Sequence, residues 1–325
     1  MSLMLRVERY KQSRKKEWNE FVEKANNATF LFNRGFMDYH SDRFEDYSLM
    51  VFIKDKVVAC LPANIINNNE VCSHQGLTYG AFIMEKELKL PIQIEIVKSV
   101  LEHYHRAGIE VIKYKAFPRF YNLQQTDEVD YCLFRVGAQL YRKDLAIAID
   151  REQQIKYSSS YKRQSKSAIK AGYWVEKSSD FLSFWKNVLI PNLLDRFGVE
   201  PVHSIEEIEQ LVSKFPENIE LLVSRDKSGN IVAGTVFFIS ENVAHCQYIS
   251  ATQEGRNSGA LNLLYTTSID EHFLDKRYFD FGIANEDNGR SLNDGLLAWK
   301  ERMGGRGYSH DFYEILTKNY SDLNR

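Results

Sequence analysis

The chain repeats one order of secondary-structure elements, first over residues 47–149 and again over residues 218–316. Each half begins with two β-rich runs joined by a short turn, then has a third strand, a helix, a strand, a helix that ends at glycine, and a last strand. The sequences also correspond: SLMVFIKDKVVACLPANI pairs with ELLVSRDKSGNIVAGTVFFI, and CLFRVGAQLYRKDLAI pairs with AWKERMGGRGYSHDFYEI. The chain is therefore predicted to be a tandem duplication of one α/β unit.

Antiparallel strand pairs followed by alternating strands and helices predict an α/β (α+β) fold. Each unit should be a mixed, mainly antiparallel sheet flanked by helices. A length of 325 residues is enough for two ordinary domains. We place them at residues 1–150 and 151–325, with extra helices in 151–215. Two unrelated α/β domains can share such an order by chance, but matching turns and helix-ending glycines favour a repeat.

Composition narrows the function classes. A net charge of −2 argues against an indiscriminate nucleic-acid binder. The four cysteines are scattered without a C-x-x-C pair, which is typical of reduced buried thiols rather than disulfides or a zinc site. The eight histidines show no ligand spacing, so no metal is expected. No apolar run approaches the roughly 18 residues that span a bilayer, and the first residues lack a signal core. We therefore expect a cytoplasmic protein.

The stretch from Tyr278 to Gly305 is predicted to frame a ligand site. A short β-rich run leads through a polar loop into a helix with an apolar face, and this helix stops at Gly304-Gly305. Lys300 lies four residues before Gly304, in an otherwise apolar helix end. It either serves the site as a cation or snorkels from an apolar surface into water. We favour the first interpretation.

This order of elements resembles the GNAT (acyl-CoA N-acyltransferase) fold, and the tandem pair resembles its FemAB-like branch. The segments that carry the resemblance are KRQSKSAIKAGYWVE and FDFG followed by LNDGLLAWKERMGG. The resemblance covers nearly the whole chain and implies two tandem GNAT-like domains. It also implies transfer of an acyl group from acyl-CoA or acetyl-CoA to an amine, on an amino sugar or a cell-envelope precursor. Two alternatives remain: an aminoacyl-tRNA-dependent transferase of cell-wall precursors, and a non-catalytic binding protein that retains the fold.

The resemblance implies catalytic roles for Lys300 and Asn293. Lys300 stands where GNAT enzymes often carry a tyrosine acid, and Asn293 stands seven residues before it. In the FemAB-like branch a lysine in this motif is thought to stabilise developing negative charge, and that role maps onto Lys300. Such stabilisation lowers a barrier by roughly 2–4 kcal/mol.

The general base is predicted to be Asp280. Side chains alternate along a strand, so Asp280 points away from the face of Phe279 and Phe281. A carboxyl group near apolar neighbours can have its pKa raised toward neutrality. His245, on the third strand of the second unit, is more typical of a packed strand residue than of a base.

The donor is expected at the junction QEGRNSGALN, between the third strand and the next helix. GNAT enzymes hold a pyrophosphate there with backbone N–H groups and the helix dipole. The predicted donor-binding residues are Arg256, Asn257, Ser258 and Gly259. Leu261 replaces the final small residue of the family's loop, and an ordinary glycine-rich helix start explains the segment equally well. An aminoacyl-tRNA donor would instead contact the basic face of Lys162, Arg163, Lys166 and Lys170, although such a face can also be merely solvated.

The first unit lacks the cation, since VDYCLFRVG places Leu133 at the position of Lys300. Its third-strand junction HQGLTYGAF has glycines but no basic residue, so we predict no donor site and assign the first unit to the acceptor. A purely structural glycine-rich bulge is the alternative. The predicted partners are a small-molecule, glycan or peptide amine and, in the tRNA alternative, tRNA as the donor carrier. The predicted substrate-binding residues are His74, Gln75, Tyr79, Tyr248 and Asn285.

Overall fold

The computed structural model describes residues 5–153, 156 and 158–324. The chain divides into two compact units. Unit 1 comprises the residues up to Asp144 together with those from Ser309 onward, and unit 2 comprises Leu145–Tyr308. The units divide after Asp144, whereas the predicted domain boundary lies after residue 150. The chain from Ser309 onward, predicted to lie in the second domain, lies instead in unit 1.

The strands of the described chain are numbered in chain order. They are β1 (Leu5–Arg9), β2 (Leu49–Ile53), β3 (Lys56–Leu61), β4 (Asn64–Asn67), β5 (Glu70–Cys72), β6 (Ile83–Met84), β7 (Val111–Lys115), β8 (Gln139–Asp150), β9 (Trp174–Ser178), β10 (Ile219–Arg225), β11 (Ile231–Ile239), β12 (Val243–Ala251), β13 (Tyr278–Ile283), β14 (Asn285–Glu286), β15 (Ser291–Leu292) and β16 (Arg306–Leu316).

The helices are numbered in the same way. They are α1 (Lys15–Val22), α2 (Arg34–Met37), α3 (Leu90–Arg106), α4 (Glu128–Arg135), α5 (Ser159–Lys170), α6 (Phe181–Phe184), α7 (Ile190–Phe197), α8 (Ile205–Lys214), α9 (Gln253–Asn257), α10 (Ala260–Thr267) and α11 (Asp294–Arg302). Wider π-helical turns follow α6 at Trp185–Leu189 and α10 at Ser268–His272.

Unit 1 has two groups of strands around one apolar core. One group has the order β1-β2-β3-β6 with antiparallel neighbours. In the other, β5 pairs with β4 antiparallel and with β7 in parallel, and β7 pairs antiparallel with β16. Helix α3 contributes a stripe of aliphatic side chains at helical spacing to the core, and Leu133 of α4 joins the same cluster.

Unit 2 is built on a sheet in the order β8-β13-β12-β11-β10-β9. All neighbours are antiparallel except β12 and β13, which run in parallel. Strand β11 is buried along its whole length, as expected for a central strand covered on both faces. The core of unit 2 includes Phe237, Tyr265, Phe279 and Phe281. Both units therefore have the mixed, mainly antiparallel sheets that the sequence predicted.

The sequence pattern also predicts one helix over residues 256–274, one strand over residues 57–66 and a first helix capped by Ser13, and the structure differs at each. The first is divided, because Gly259 has a φ of +82° and separates α9 from α10. The second is divided into β3 and β4. The N-cap position of α1 is Arg14, without a side-chain hydrogen bond. The four cysteines are free and buried.

Candidate active site

The parallel pairing of β12 and β13 places a histidine and a carboxylate side by side. His245 lies opposite Asp280 in the register. The His245 Nδ1 and Asp280 Oδ2 atoms are 2.7 Å apart, and Asp280 Oδ1 accepts a hydrogen bond from the Gly282 N–H at 2.8 Å. Asp280 is buried, whereas His245 is partly exposed. The sequence analysis named both residues but did not predict this contact, and the role of Asp280 as general base stays a prediction.

Lys300 of α11 is buried against the end of β13, with 2% of its surface exposed. Its Nζ donates hydrogen bonds to the carbonyl oxygens of Gly282 at 2.9 Å and Ile283 at 2.7 Å. These carbonyls are turned toward the lysine because the pairing of β13 with β8 shifts register between Asp280 and Ile283, and Gly282 has a φ of +73°. The alternative, in which Lys300 snorkels into water, is therefore excluded, and Lys300 is an internal cation.

Burial lowers the pKa of Lys300 to about 8, while the nearby Asp280 and Cys246 act in the opposite direction. An ammonium carries three N–H donors, and two of them are bound to the carbonyls. A lysine with a pKa near neutrality can both present a positive charge and exchange a proton at physiological pH. The His245 ring lies against Gly282, since a Cβ there would be 3.5 Å from the ring Cε1.

Asn293 is the N-cap of α11. Its Oδ1 accepts from the Leu296 N–H at 3.0 Å, and its Nδ2 donates to Glu286 Oε1 at 2.8 Å. The helical rise places it about 10 Å along the axis from Lys300. The structure therefore gives Asn293 a capping contact, and its predicted catalytic role stays a prediction.

The predicted donor loop is shaped by contacts within unit 2. Arg256 donates to the Ala251 carbonyl, to Asn192 Oδ1 at 2.9 Å and to Gln253 Oε1 at 3.1 Å. Asn257 Oδ1 accepts from Gln253 Nε2 at 3.0 Å. The arginine and the asparagine are exposed, but their polar groups already serve the loop's own structure.

The start of α10 is covered by the backbone of α5. Ser258 Oγ accepts from the Ala260 N–H at 3.3 Å. A Cβ at Gly259 would lie 2.8 Å from the carbonyl oxygen of Gln164, so only glycine permits this approach. Thr266 Oγ1, about two turns further along α10, donates to Ser165 Oγ at 3.0 Å. A backbone carbonyl therefore lies against the helix end at which GNAT enzymes place a pyrophosphate.

Helix α5 presents cations and no carboxylates to solvent. Tyr161, Ser165 and Ala168 are its buried residues, at spacings of four and three. The predicted basic face is exposed, and it comprises Lys162, Arg163, Lys166 and Lys170.

Two predicted substrate-binding residues of unit 2 form hydrogen bonds with other residues of the protein. The Tyr248 hydroxyl lies 2.5 Å from His203 Nδ1 and accepts from the His203 N–H at 3.1 Å. Asn285 Oδ1 accepts from the Leu145 N–H at 2.6 Å. His203 was not predicted, since it lies in an irregular segment far from Tyr248 in sequence.

The three predicted residues of unit 1 have different environments. His74 is buried, with a φ of +106°, while Gln75 is exposed and its Oε1 accepts from Asn64 Nδ2 at 2.7 Å. Tyr79 is buried among aromatic rings, and its hydroxyl lies 2.9 Å from Thr29 Oγ1. Of the three, His74 lines a cavity.

The overall fold is shared with three solved structures of low sequence identity. FemX matches with a TM-score of 0.68 at 12% identity, covering 98% of this chain and 99% of its own. L-PGS from Bacillus licheniformis matches with a TM-score of 0.62 at 12% identity, with coverages of 95% and 93%. The C-terminal domain of a protein described as a lysylphosphatidylglycerol synthetase, from Agrobacterium fabrum, gives 0.58 at 12% identity, with coverages of 93% and 91%. No protein-family model and no curated protein matches the sequence.

These similarities confirm the predicted fold: the chain shares the fold of FemX and L-PGS, with mixed, mainly antiparallel sheets flanked by helices. Within the described ranges, no helix is both long and apolar enough to cross a membrane. Among the same residues, no group of three or more His, Cys, Asp or Glu side chains is arranged to hold a metal ion.

Proposed function

We propose that this protein is an N-acyltransferase that moves an aminoacyl or acyl group onto an amine. The observation that carries the proposal is the buried Lys300 ammonium, held by two carbonyls beside Asp280 and His245. A buried charge costs several kcal/mol, and functional sites are where such costs recur. The fold shared with FemX supports the same class of reaction.

His245 is the group best placed to remove the proton of the amine. With the Nδ1–H donated to Asp280, the neutral imidazole presents the lone pair of Nε2 to the acceptor. Asp280 then fixes the tautomer and stabilises the imidazolium that forms. The deprotonated amine attacks the acyl carbonyl carbon, and a tetrahedral oxyanion results.

Lys300 is the group that stabilises this oxyanion. Its third N–H, beside the two donated to carbonyls, is the proposed donor to the developing charge. Collapse of the intermediate breaks the bond from the acyl carbon to the leaving group of the donor. The imidazolium of His245 returns a proton to that leaving group, which restores the starting protonation state.

Aminoacyl-tRNA is the proposed donor. The Gln164 carbonyl against Gly259 places an oxygen lone pair where a pyrophosphate would carry negative charge. The acid-free, exposed face of α5 offers four cations for a phosphodiester backbone. Acyl-CoA is the second candidate, supported by the sequence of the loop alone, in which Arg256 and Gly259 match the pattern of GNAT enzymes. For the acceptor we propose an amine of an amino sugar or a cell-envelope precursor.

A donor competition assay tests this function. Purified protein is given either tRNA charged with radiolabelled amino acids or radiolabelled acetyl-CoA, together with a panel of amino sugars and amine-bearing peptides. We expect label transfer from charged tRNA that is lost in Lys300→Ala and retained in Arg302→Ala, an exposed control on the same helix. Transfer from acetyl-CoA alone would reverse the donor assignment. Transfer that ignores Lys300 would remove the catalytic proposal.

The basic face of α5 has its own test. Lys166→Glu should raise the KM for charged tRNA and affect no other step of the reaction, because a phosphate contact is lost. Lys86→Glu, on the exposed surface of unit 1, is the charge-matched control. An equal effect of both variants would mean that the basic face acts only through general electrostatic attraction and makes no specific contact with tRNA.

A further inference from the structure

Unit 1 contains a cavity whose polar lining has unused hydrogen-bonding groups. The cavity has a volume of about 290 Å³ and is open on one side. Three buried polar side chains line it, Arg34 and His40 with 2% and His74 with 3% of their surface exposed. His74 is among the substrate-binding residues predicted from the sequence, but the residues proposed to carry out the transfer, His245, Asp280 and Lys300, do not line this cavity. The following inference therefore does not depend on the proposed function.

Arg34 presents one edge of its guanidinium without a partner. Nη1 is paired with Asp46 Oδ2, but Nε and Nη2 have no hydrogen-bond partner among the described residues. Nε–H and Nη2–H lie on the same edge of the planar group, and this is the fork that binds a carboxylate or a phosphate through two parallel hydrogen bonds. A buried donor left without a partner costs about 1–3 kcal/mol, so two on one edge require an explanation.

The guanidinium is held rigidly in this orientation. Its Cζ lies 3.5 Å from the centroid of the Tyr10 ring and 4.1 Å from that of Trp18. Asp46 is fixed in turn by the Ser48 N–H at 2.9 Å and the Ser48 hydroxyl at 3.0 Å. A fork that is already oriented loses little conformational entropy when a ligand binds.

The two histidines add neutral polar atoms to the cavity. Burial lowers the pKa of His40 and lowers that of His74 further, so both are neutral imidazoles near pH 7. His40 Nε2 lies 3.1 Å from the Gly76 carbonyl oxygen and must be the protonated nitrogen, because a carbonyl only accepts. Its Nδ1 is then an acceptor. Neither His40 Nδ1 nor His74 Nδ1 has a partner among the described residues.

The backbone around His74 is shaped to present this side chain. His74 has a φ of +106°, a conformation that non-glycine residues rarely adopt and that costs about 1–3 kcal/mol. The ring of His74 stacks on that of His40, with centroids 5.2 Å apart and planes 16° apart. Gly76 makes room for this pair, since a Cβ there would lie 2.2 Å from His40 Nε2.

The charges around the cavity select the ligand class. Arg34 is balanced by Asp46, and Asp38 is balanced by Lys15 at 2.7 Å. With the histidines neutral, the lining carries no surplus positive charge for a phosphate dianion. The free fork of Arg34 suits a monoanion, and His40 Nδ1 suits a hydroxyl or amine donor on the same molecule.

We propose that the cavity of Arg34, His40 and His74 binds a small carboxylate that also carries a hydroxyl or amino group. The carboxylate oxygens accept from Nε and Nη2 of Arg34, and the second group donates to His40 Nδ1. A free hydroxy or amino acid and a carboxylate on a larger glycan or peptide share this chemistry.

Thermal unfolding at constant ionic strength tests the proposal with acetate, glycolate, glycine and phosphate as probes and chloride as the reference salt. For the full-length protein we expect a saturable rise in Tm with the carboxylates, and a tighter response to glycolate or glycine than to acetate. Arg34→Lys should weaken glycolate at least tenfold, whereas Arg106→Lys, an exposed residue of the same unit, should not change it. A peptide with a free carboxyl terminus that binds better than glycine identifies a larger ligand as the source.

A second variant covers the case in which Arg34→Lys does not fold. His40→Phe should erase the preference for glycolate over acetate and leave acetate binding intact. In the wild-type protein, ring 15N resonances of His40 and His74 should shift along a saturable curve with glycolate. The absence of saturable binding by any carboxylate, or a tighter response to phosphate, would overturn the proposal.

Discussion

Helices α4 and α11 end in the same way, but one buries an apolar side chain and the other a cationic one. Each stops before a glycine with positive φ, +64° at Gly137 and +93° at Gly304. Four residues before that glycine lies a side chain with 2% of its surface exposed, Leu133 in unit 1 and Lys300 in unit 2. The backbone conformation at the helix end and the burial of the side chain are therefore alike at the two positions.

The neighbouring strand explains the difference. Strand β7 pairs with β16 without a register shift, so its backbone groups stay in the ladder, and Leu133 lies in a cluster of buried apolar side chains. Strand β13 breaks register with β8, and the carbonyls of Gly282 and Ile283 turn to Lys300. A buried lysine is thus tolerated where a bulge supplies oxygen atoms, and the helix itself contributes little to the distinction.

A lysine introduced into α4 tests this difference between the two helices, and it should have the largest effect. Leu133→Lys places an ammonium in an apolar cluster without carbonyl partners, and we expect unit 1 to lose roughly 4–5 kcal/mol of unfolding free energy. Leu133→Met keeps volume and polarity and should cost less than about 1.5 kcal/mol. Urea unfolding followed by circular dichroism measures both. A Lys variant as stable as the Met variant would show that α4 tolerates a cation without the bulge.

Removing the native lysine should act on turnover. If Lys300 stabilises the oxyanion, Lys300→Ala lowers kcat by about 100- to 1000-fold in the transfer assay, with a smaller effect on KM. Wild-type turnover should also fall above about pH 8, as Lys300 loses its proton. A pH profile that is the same in Lys300→Arg, which cannot lose its proton, would contradict this assignment.

The desolvation of Lys300 should appear in the pH dependence of stability. Its pKa is about 8 in the folded protein, below the ordinary value of 10.5, so the unfolded chain holds the proton more tightly. Stability relative to Lys300→Met should therefore rise between about pH 8 and pH 10.5, by at most about 3 kcal/mol, and stay constant below pH 7. Denaturant titrations at several pH values measure the difference. A flat difference across this range would mean that the ammonium is well hydrated.

The smallest effect is expected at the start of α11. Asn293→Ala removes the cap of the Leu296 N–H and should cost about 1 kcal/mol, and Asn293→Ser should recover most of it. Turnover per folded molecule should stay near the wild-type value, as judged by active-enzyme concentration. A loss of kcat comparable to that of Lys300→Ala would restore the catalytic role predicted from sequence.

Local pattern accounts for much of the fold that was predicted. The sequence pattern predicts a strand over residues 278–283 and a helix over residues 91–107; β13 has the predicted bounds, and α3 is displaced by one residue. Both have strong periodicity and clear ends. The division of the predicted helix at Gly259 was missed because it depends on the approach of Gln164, a residue about a hundred positions earlier.

The candidate site was predicted only where its residues lie in one segment. Lys300 and Asp280 belong to a single strand–loop–helix, and their motif is visible in the sequence. The proposed role of His245 rests on the parallel pairing of β12 with β13, and the proposed role of Arg34 rests on its stacking on Tyr10 and Trp18. Neither register nor stacking is encoded by local pattern, so these partners required the structure.

The discontinuity of unit 1 has a consequence for synthesis on the ribosome. Strand β7 cannot form its pairing with β16 until residues 312–316 have been synthesised. The same holds for the hydrogen bond from the Thr317 hydroxyl to the Ile109 carbonyl, at 2.6 Å. All of unit 2 is translated between these partners. The later-encoded unit can therefore finish folding first, while the earlier one holds an unpaired strand edge in the nascent chain, where aggregation and chaperone binding begin.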